Sequence, residues 1–177
     1  MSRRAPLLSL LALAAVLFSA LPARAAMTAY LILKSPTKGD VKSETTAKGH
    51  EGQIEVWAFT NQSDATTHNT FTITHDLDKS SPVLRTLFEN KETLAGFELR
   101  LFRPLTGATG ATTGTGSQEQ YFSIVLQQAK IVGLTTRMLN IKDPALMKFS
   151  VQEEVTFTFS HVDYTYVKGG VAGGSSR

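Results

Sequence analysis

The chain has no cysteine among its 177 residues, which excludes disulfides, thiolate metal sites and cysteine nucleophiles. Aromatic residues make up 8% and tryptophan occurs once, as Trp57. An aromatic face for stacking a ligand would therefore have to draw on Trp57, Tyr164 and Tyr166. There is no H-E-x-x-H, no G-x-S-x-G and no phosphate-cradling G-x-x-x-x-G-K-[ST], so the common signatures of zinc hydrolases, serine hydrolases and nucleotide enzymes are missing. No internal repeat is evident. Hydrophobic residues make up 42%, a globular level that argues against both a disordered chain and a multi-span membrane protein. The length suits one domain.

The first 25 residues differ from the rest. Arg3-Arg4 precede an apolar run from Leu7 to Phe18, then Pro22 and Ala23-Arg24-Ala25. A basic start, an apolar centre and an A-x-A site describe a secretory signal peptide over residues 1–25, with a mature chain starting near Ala26. An uncleaved anchor is the alternative, and the run is short for a membrane span. Met27 offers a second start, with cytoplasmic residence until release. Removing Arg3, Arg4 and Arg24 from the 18 basic residues leaves 15, equal to the 15 acidic ones. A balanced mature domain gives no electrostatic case for nucleic acid or for an anionic membrane. The expected location is the periplasm or the medium.

Alternating apolar residues dominate the mature chain. Gln53 to Thr60, Thr70 to His75 and Phe97 to Leu101 alternate as half-buried strands. Tyr121 to Leu126 and Lys130 to Met138 are more continuously apolar and read as strands covered on both faces. In the last run, Val155, Phe157 and Phe159 share one parity and Val162, Tyr164 and Tyr166 the other. A change of parity swaps the buried face, so a bulge or bend is expected near Ser160-His161. One helix is expected after Ser80 or Ser81 as a cap, with Pro82 in its first turn. Val83, Leu84, Leu87 and Phe88 form its apolar stripe, and Asn90-Lys91 suit its end. Ser35–Gly52 and Asn61–Asn69 read as polar connectors, Leu105–Ser117 as a flexible glycine-rich loop, and residues 169–177 as a disordered tail. About eight strands and one helix imply a mainly β fold, a small antiparallel barrel of two sheets flanked by that helix.

Candidate chemistry is thin. His50, His68, His75 and His161 have no metal-ligand spacing. Glu153 and Glu154 are neighbours on a strand and point to opposite faces, so they cannot work as an acid/base pair. Ser80 and Ser81 are accounted for as helix caps. The expectation is a non-enzyme with no cofactor and no metal.

Three segments carry a resemblance. They are Met27-Thr28-Ala29-Tyr30-Leu31-Ile32-Leu33-Lys34, the junction His75-Asp76-Leu77-Asp78-Lys79-Ser80-Ser81-Pro82-Val83-Leu84, and Glu153 to Val167. Together they resemble the Hcp family, the inner-tube subunits of bacterial type VI secretion systems, over about Ala29 to Val167. Within this resemblance Asp76, Asp78, Lys79, Ser80, Pro82, Glu154 and Tyr164 match the family signature. The resemblance implies a barrel domain over 26–168 and a homo-hexameric ring that stacks into a tube. It further implies a lumen holding effector proteins and contacts with other type VI components. It places subunit contacts in the connector that includes Thr60, Asn61, Gln62, Ser63 and Asp64. The leader departs from the family pattern. The rival reading is a secreted β-sandwich binding module, carbohydrate-binding or adhesin-like.

Overall fold

The computed structural model describes residues 27–62, 69–105, 118–168 and 170–176. The leader, Ser63, Asp64, His68 and the centre of the glycine-rich loop lie outside the described residues.

Among the described residues eleven strands form two antiparallel sheets. The strands are β1 (Thr28–Ser35), β2 (Gly39–Asp40), β3 (Ile54–Glu55), β4 (Ala58–Gln62), β5 (Thr70–Asp76), β6 (Gly96–Pro104), β7 (Gln118–Gln127), β8 (Lys130–Arg137), β9 (Gln152–Thr158), β10 (His161–Tyr166) and β11 (Val171–Ser176). One sheet runs β11-β10-β7-β6-β1-β2 with β3 also on β1; the other runs β4-β5-β9-β8. The expected class holds, but within these residues neither sheet closes on itself.

The sheets are joined by strands that cross from one to the other. The expected bend after Val155-Phe157-Phe159 is such a crossing. β9 pairs with β5 and β8, and β10, two residues later, pairs with β7. Phe159 and Val162 are both buried, so the parity change keeps apolar side chains inside while the strand turns a corner. Beside it β7 passes into β8 through Gln128, whose φ of 54° is left-handed. The two corners are tied together by Ser160 N–H donating to the Gln127 carbonyl at 3.1 Å. A third corner splits the strand expected over Gln53–Thr60. Val56 N–H bonds to Ala29 in one sheet and Trp57 N–H to Thr74 in the other.

Between the sheets Phe97 meets Phe71 and Phe157 edge-on at 5.5 and 5.0 Å. Leu31, Ile73, Leu99 and Val155 are wholly buried around them. Each such side chain contributes about 1.5–3 kcal/mol by leaving water. Outside this core, His50 stacks on Tyr30 with ring centroids 4.0 Å apart and meets Phe102 edge-on. The 35–52 connector is thereby pinned across the outer face of β1, and Val41 and Ser43 within it are buried.

The helix, α1 (Ser81–Glu89), buries Leu84 and Leu87 and lies beside β8. Ser80 occupies the N-cap position but makes no side-chain cap hydrogen bond. Asp78 orders the turn that leads into the helix, its carboxylate accepting from the Ser80 N–H at 2.8 Å in an Asx-type turn. At the other end Lys91 N–H bonds to Phe88 and Glu92 N–H to Leu87. With Lys91 at φ 53° this is a Schellman ending in which lysine fills the usual glycine position.

The tail read as disordered instead pairs along β10 as the edge strand β11, from Val171↔Tyr166 to Ser176↔His161. Its low apolar content conceals the backbone ladder that holds it. A Cβ on Gly174 would fall 2.7 Å from Asp163 Oδ1 and 2.9 Å from the Val162 carbonyl, so glycine permits the close approach.

Candidate assembly surface and barrel-end cavity

Three of the residues expected in a loop at a subunit contact are strand residues. Thr60, Asn61 and Gln62 belong to β4 and pair with Thr72, Phe71 and Thr70. The apolar alternation stops at Phe59, while the backbone ladder continues under polar side chains, so the sequence pattern hides this part of the strand. β4 is a sheet edge with no further strand outside it among the described residues. Thr60 and Gln62 are exposed. Asn61 turns inward and its amide donates to the Tyr164 hydroxyl on β10, tying the two sheets together. That bond joins a residue expected at an interface to one matching the family signature. Phe59 on the same strand stays 38% exposed while stacking on Phe71. An open edge carrying a half-exposed aromatic is a template for a further chain.

A second exposed apolar group lies on the β8–β9 connection, where Met138, Ile141 and Met147 are each more than half exposed. Asn140 and Asp143 side chains accept from the Lys142 and Ala145 N–H groups, so the loop is held by its own turns.

The signature junction 76–82 latches α1 to the 41–53 connector. Asp78 Oδ2 accepts from Ser43 Oγ at 2.5 Å and from the Glu44 N–H at 3.3 Å; Oδ1 accepts from the Ser80 N–H and Oγ. Burial works against its charge, yet bonds from Ser43, Ser80 and the two backbone groups outweigh it and hold the carboxyl below the usual aspartate range. Asp76 accepts from Ser150 Oγ. Pro82 is in the first turn and Lys79 is exposed. Glu154 points outward between Thr74 and Thr135.

On the inner face of the same strands His75 and Glu153 sit directly opposite each other, 1% and 2% exposed. His75 Nε2 lies 3.4 Å from Glu153 Oε2. The distance allows charge attraction, but the geometry is not that of a hydrogen bond: among the described residues both ring nitrogens and Oε2 are without a hydrogen-bond partner. Glu153 Oε1 accepts a long 3.4 Å bond from Thr136. Period-2 alternation from Phe71 and Ile73 points His75 inward, and a signal for the pair lay there. Cross-strand register, which brings Glu153 opposite it, is not written in either strand alone.

The three described histidines are not gathered. His50 stacks on Tyr30, His75 faces Glu153, His161 contacts Asp163 at 2.8 Å, and His68 lies outside the described residues. No group of three or more histidine or carboxylate ligands is assembled among the described residues, and no helix among them is long and apolar enough to cross a membrane.

His75 and the Asp78 latch both border a cavity of about 570 Å³ at one end of the barrel. The opposite end holds the Asn61–Tyr164 contact.

Residues 30–166 match the family model described as "Type VI secretion system effector, Hcp". The "Major exported protein" of Pseudomonas aeruginosa is 31% identical over 146 residues, covering 76% of this chain and 80% of that protein. Among solved structures, the secreted protein Hcp3 from Pseudomonas aeruginosa superimposes with a TM-score of 0.69 at 26% identity, covering 85% of this chain and 98% of its own. Hcp1 from Escherichia coli EAEC 042 gives 0.69 at 22% identity over 84% and 98%, a likeness of fold.

Proposed function

This chain belongs to the Hcp family of type VI secretion proteins, and we propose that it acts as a non-catalytic, ring-forming subunit of the secretion tube. The family match over residues 30–166, nearly the whole barrel, carries the reading. The exposed edge of β4 supports it: Phe59 within that strand stays 38% exposed, as surface awaiting a neighbour. Repeating one heterologous contact between such surfaces gives a ring, and rings stack. In this reading six copies close the ring through the 60–64 segment and stacked rings enclose a lumen for effector proteins. The chain then works by shape and interfaces, without turnover. In this reading residues 1–25 act as a cleaved leader that carries the domain over 26–168 out of the cytoplasm. The binding-module reading loses its aromatic face. Trp57 lies at the cavity end, whereas Tyr164 bonds Asn61 at the other.

Light scattering and negative-stain microscopy test the ring. The mature protein is expected to give a six-membered annulus. Replacing Gln62 and Ser63 by Asp, beside Asp64, is expected to shift it to monomer with unchanged β-sheet circular dichroism, by placing like charges at the contact. A wild-type protein that remains monomeric at high concentration overturns the reading. Mass-spectrometric reading of the N-terminus is expected to find a start near Ala26; an intact Met1 or a start at Met27 overturns the leader.

A further inference from the structure

The cavity at the barrel end has a wall of one charge sign. Glu44, Glu55, Asp76 and Asp78 line it, and no lysine or arginine is among the described residues that do. Acidic residues alone make no site, since a solvated surface also collects them. Two further observations set this place apart. His75 also lines the cavity, 1% exposed, and neither of its ring nitrogens is hydrogen-bonded among the described residues. A buried polar atom without a partner is costly and uncommon, and a neutral imidazole offers one nitrogen as acceptor to an N–H donor. Trp57, half exposed, forms part of the same wall. Indole faces attract organic cations through the ring quadrupole.

Carboxylates, an indole face and an unused acceptor together form a receptor for an organic cation. We propose that the barrel-end cavity binds an ammonium or guanidinium group, with Trp57 against the cation, Glu44 and Glu55 supplying charge, and His75 accepting an N–H. Asp78 serves the wall rather than the ligand, because Ser43, Glu44 and Ser80 already occupy its oxygens. The cation comes either from a free polyamine or from a lysine or arginine side chain of a polypeptide. The site belongs to the single barrel and stands whether or not rings form.

Trp57 is the only tryptophan in the chain, so intrinsic fluorescence reads this wall directly. The mature protein is titrated with spermidine and, separately, with an acetylated and amidated Gly-Arg-Gly peptide; the same peptide with citrulline is the uncharged control. Saturable change in Trp57 emission with either cation, absent with citrulline and weakened by salt, supports the site, and the arm that responds identifies the source. Glu44→Gln/Glu55→Gln is expected to weaken binding by about fivefold or more with unchanged circular dichroism. Both positions are exposed, so folding is not at stake. His75→Gln, checked in the same way, is expected to weaken it further. No saturable response to either cation, an equal response to citrulline, or unchanged affinity in the double glutamine variant overturns the proposal.

Discussion

Two polar clusters meet at the same end of the barrel and are built in opposite ways. Around Asp78 both carboxylate oxygens are occupied by hydroxyl and backbone donors from Ser43, Glu44 and Ser80. Around His75 and Glu153 two more deeply buried ionisable groups face each other at 3.4 Å without an aligned hydrogen bond. The first cluster holds backbone: it starts α1 and anchors the 41–53 connector. The second holds only itself. A carboxylate that organises chain segments cannot be exchanged for carbon, whereas a buried pair that organises no backbone can.

The strongest way to break this contrast is to divide the buried pair. His75→Phe leaves Glu153 buried without its partner and is expected to cost about 3 kcal/mol in urea unfolding. Adding Glu153→Leu should return most of that loss, leaving the double variant near or above wild-type stability, because two apolar side chains need no partners. A double variant as unstable as the single one would show that the pair supports more than itself. Asp78→Ala comes next, at about 2 kcal/mol, from the donors it leaves unpaired; here no apolar replacement is expected to rescue stability.

The smallest effect is in pH. Since folding depresses the Asp78 carboxyl, its contribution is complete above the ordinary aspartate pKa near 3.9 and is lost as pH falls through the lower folded value. Asp78→Asn should therefore flatten the acid limb of a stability–pH profile relative to wild type. An unchanged limb would mean that the hydrogen bonds do not favour the charged form.

Legibility in the sequence followed the same divide. Strands with a buried face were readable, because alternation at Phe71-Ile73 or Val155-Phe157 is a local record of one wet side and one dry side. The helix was readable from Pro82 and its Leu84–Leu87 stripe. The β4 continuation through Gln62 and the edge strand β11 were not, since both are held by backbone ladders that leave no mark on side-chain polarity. The candidate contact residues were placed in a loop for that reason. The barrel-end cavity was invisible because its walls come from segments that lie far apart in the chain.

The sequence by itself determined the mainly β character, the position of the helix that follows Ser80, the family resemblance and the parity break at Ser160-His161. Each is an effect within one segment, where side-chain period and turn chemistry suffice. Only the tertiary structure decided that the parity break is a passage between two sheets, that the Asp78 carboxylate orders the turn before the helix while Ser80 makes no side-chain cap, and that His75 meets Glu153. These depend on register and on corners, which are set by how separate strands share one core, and no single strand carries that information.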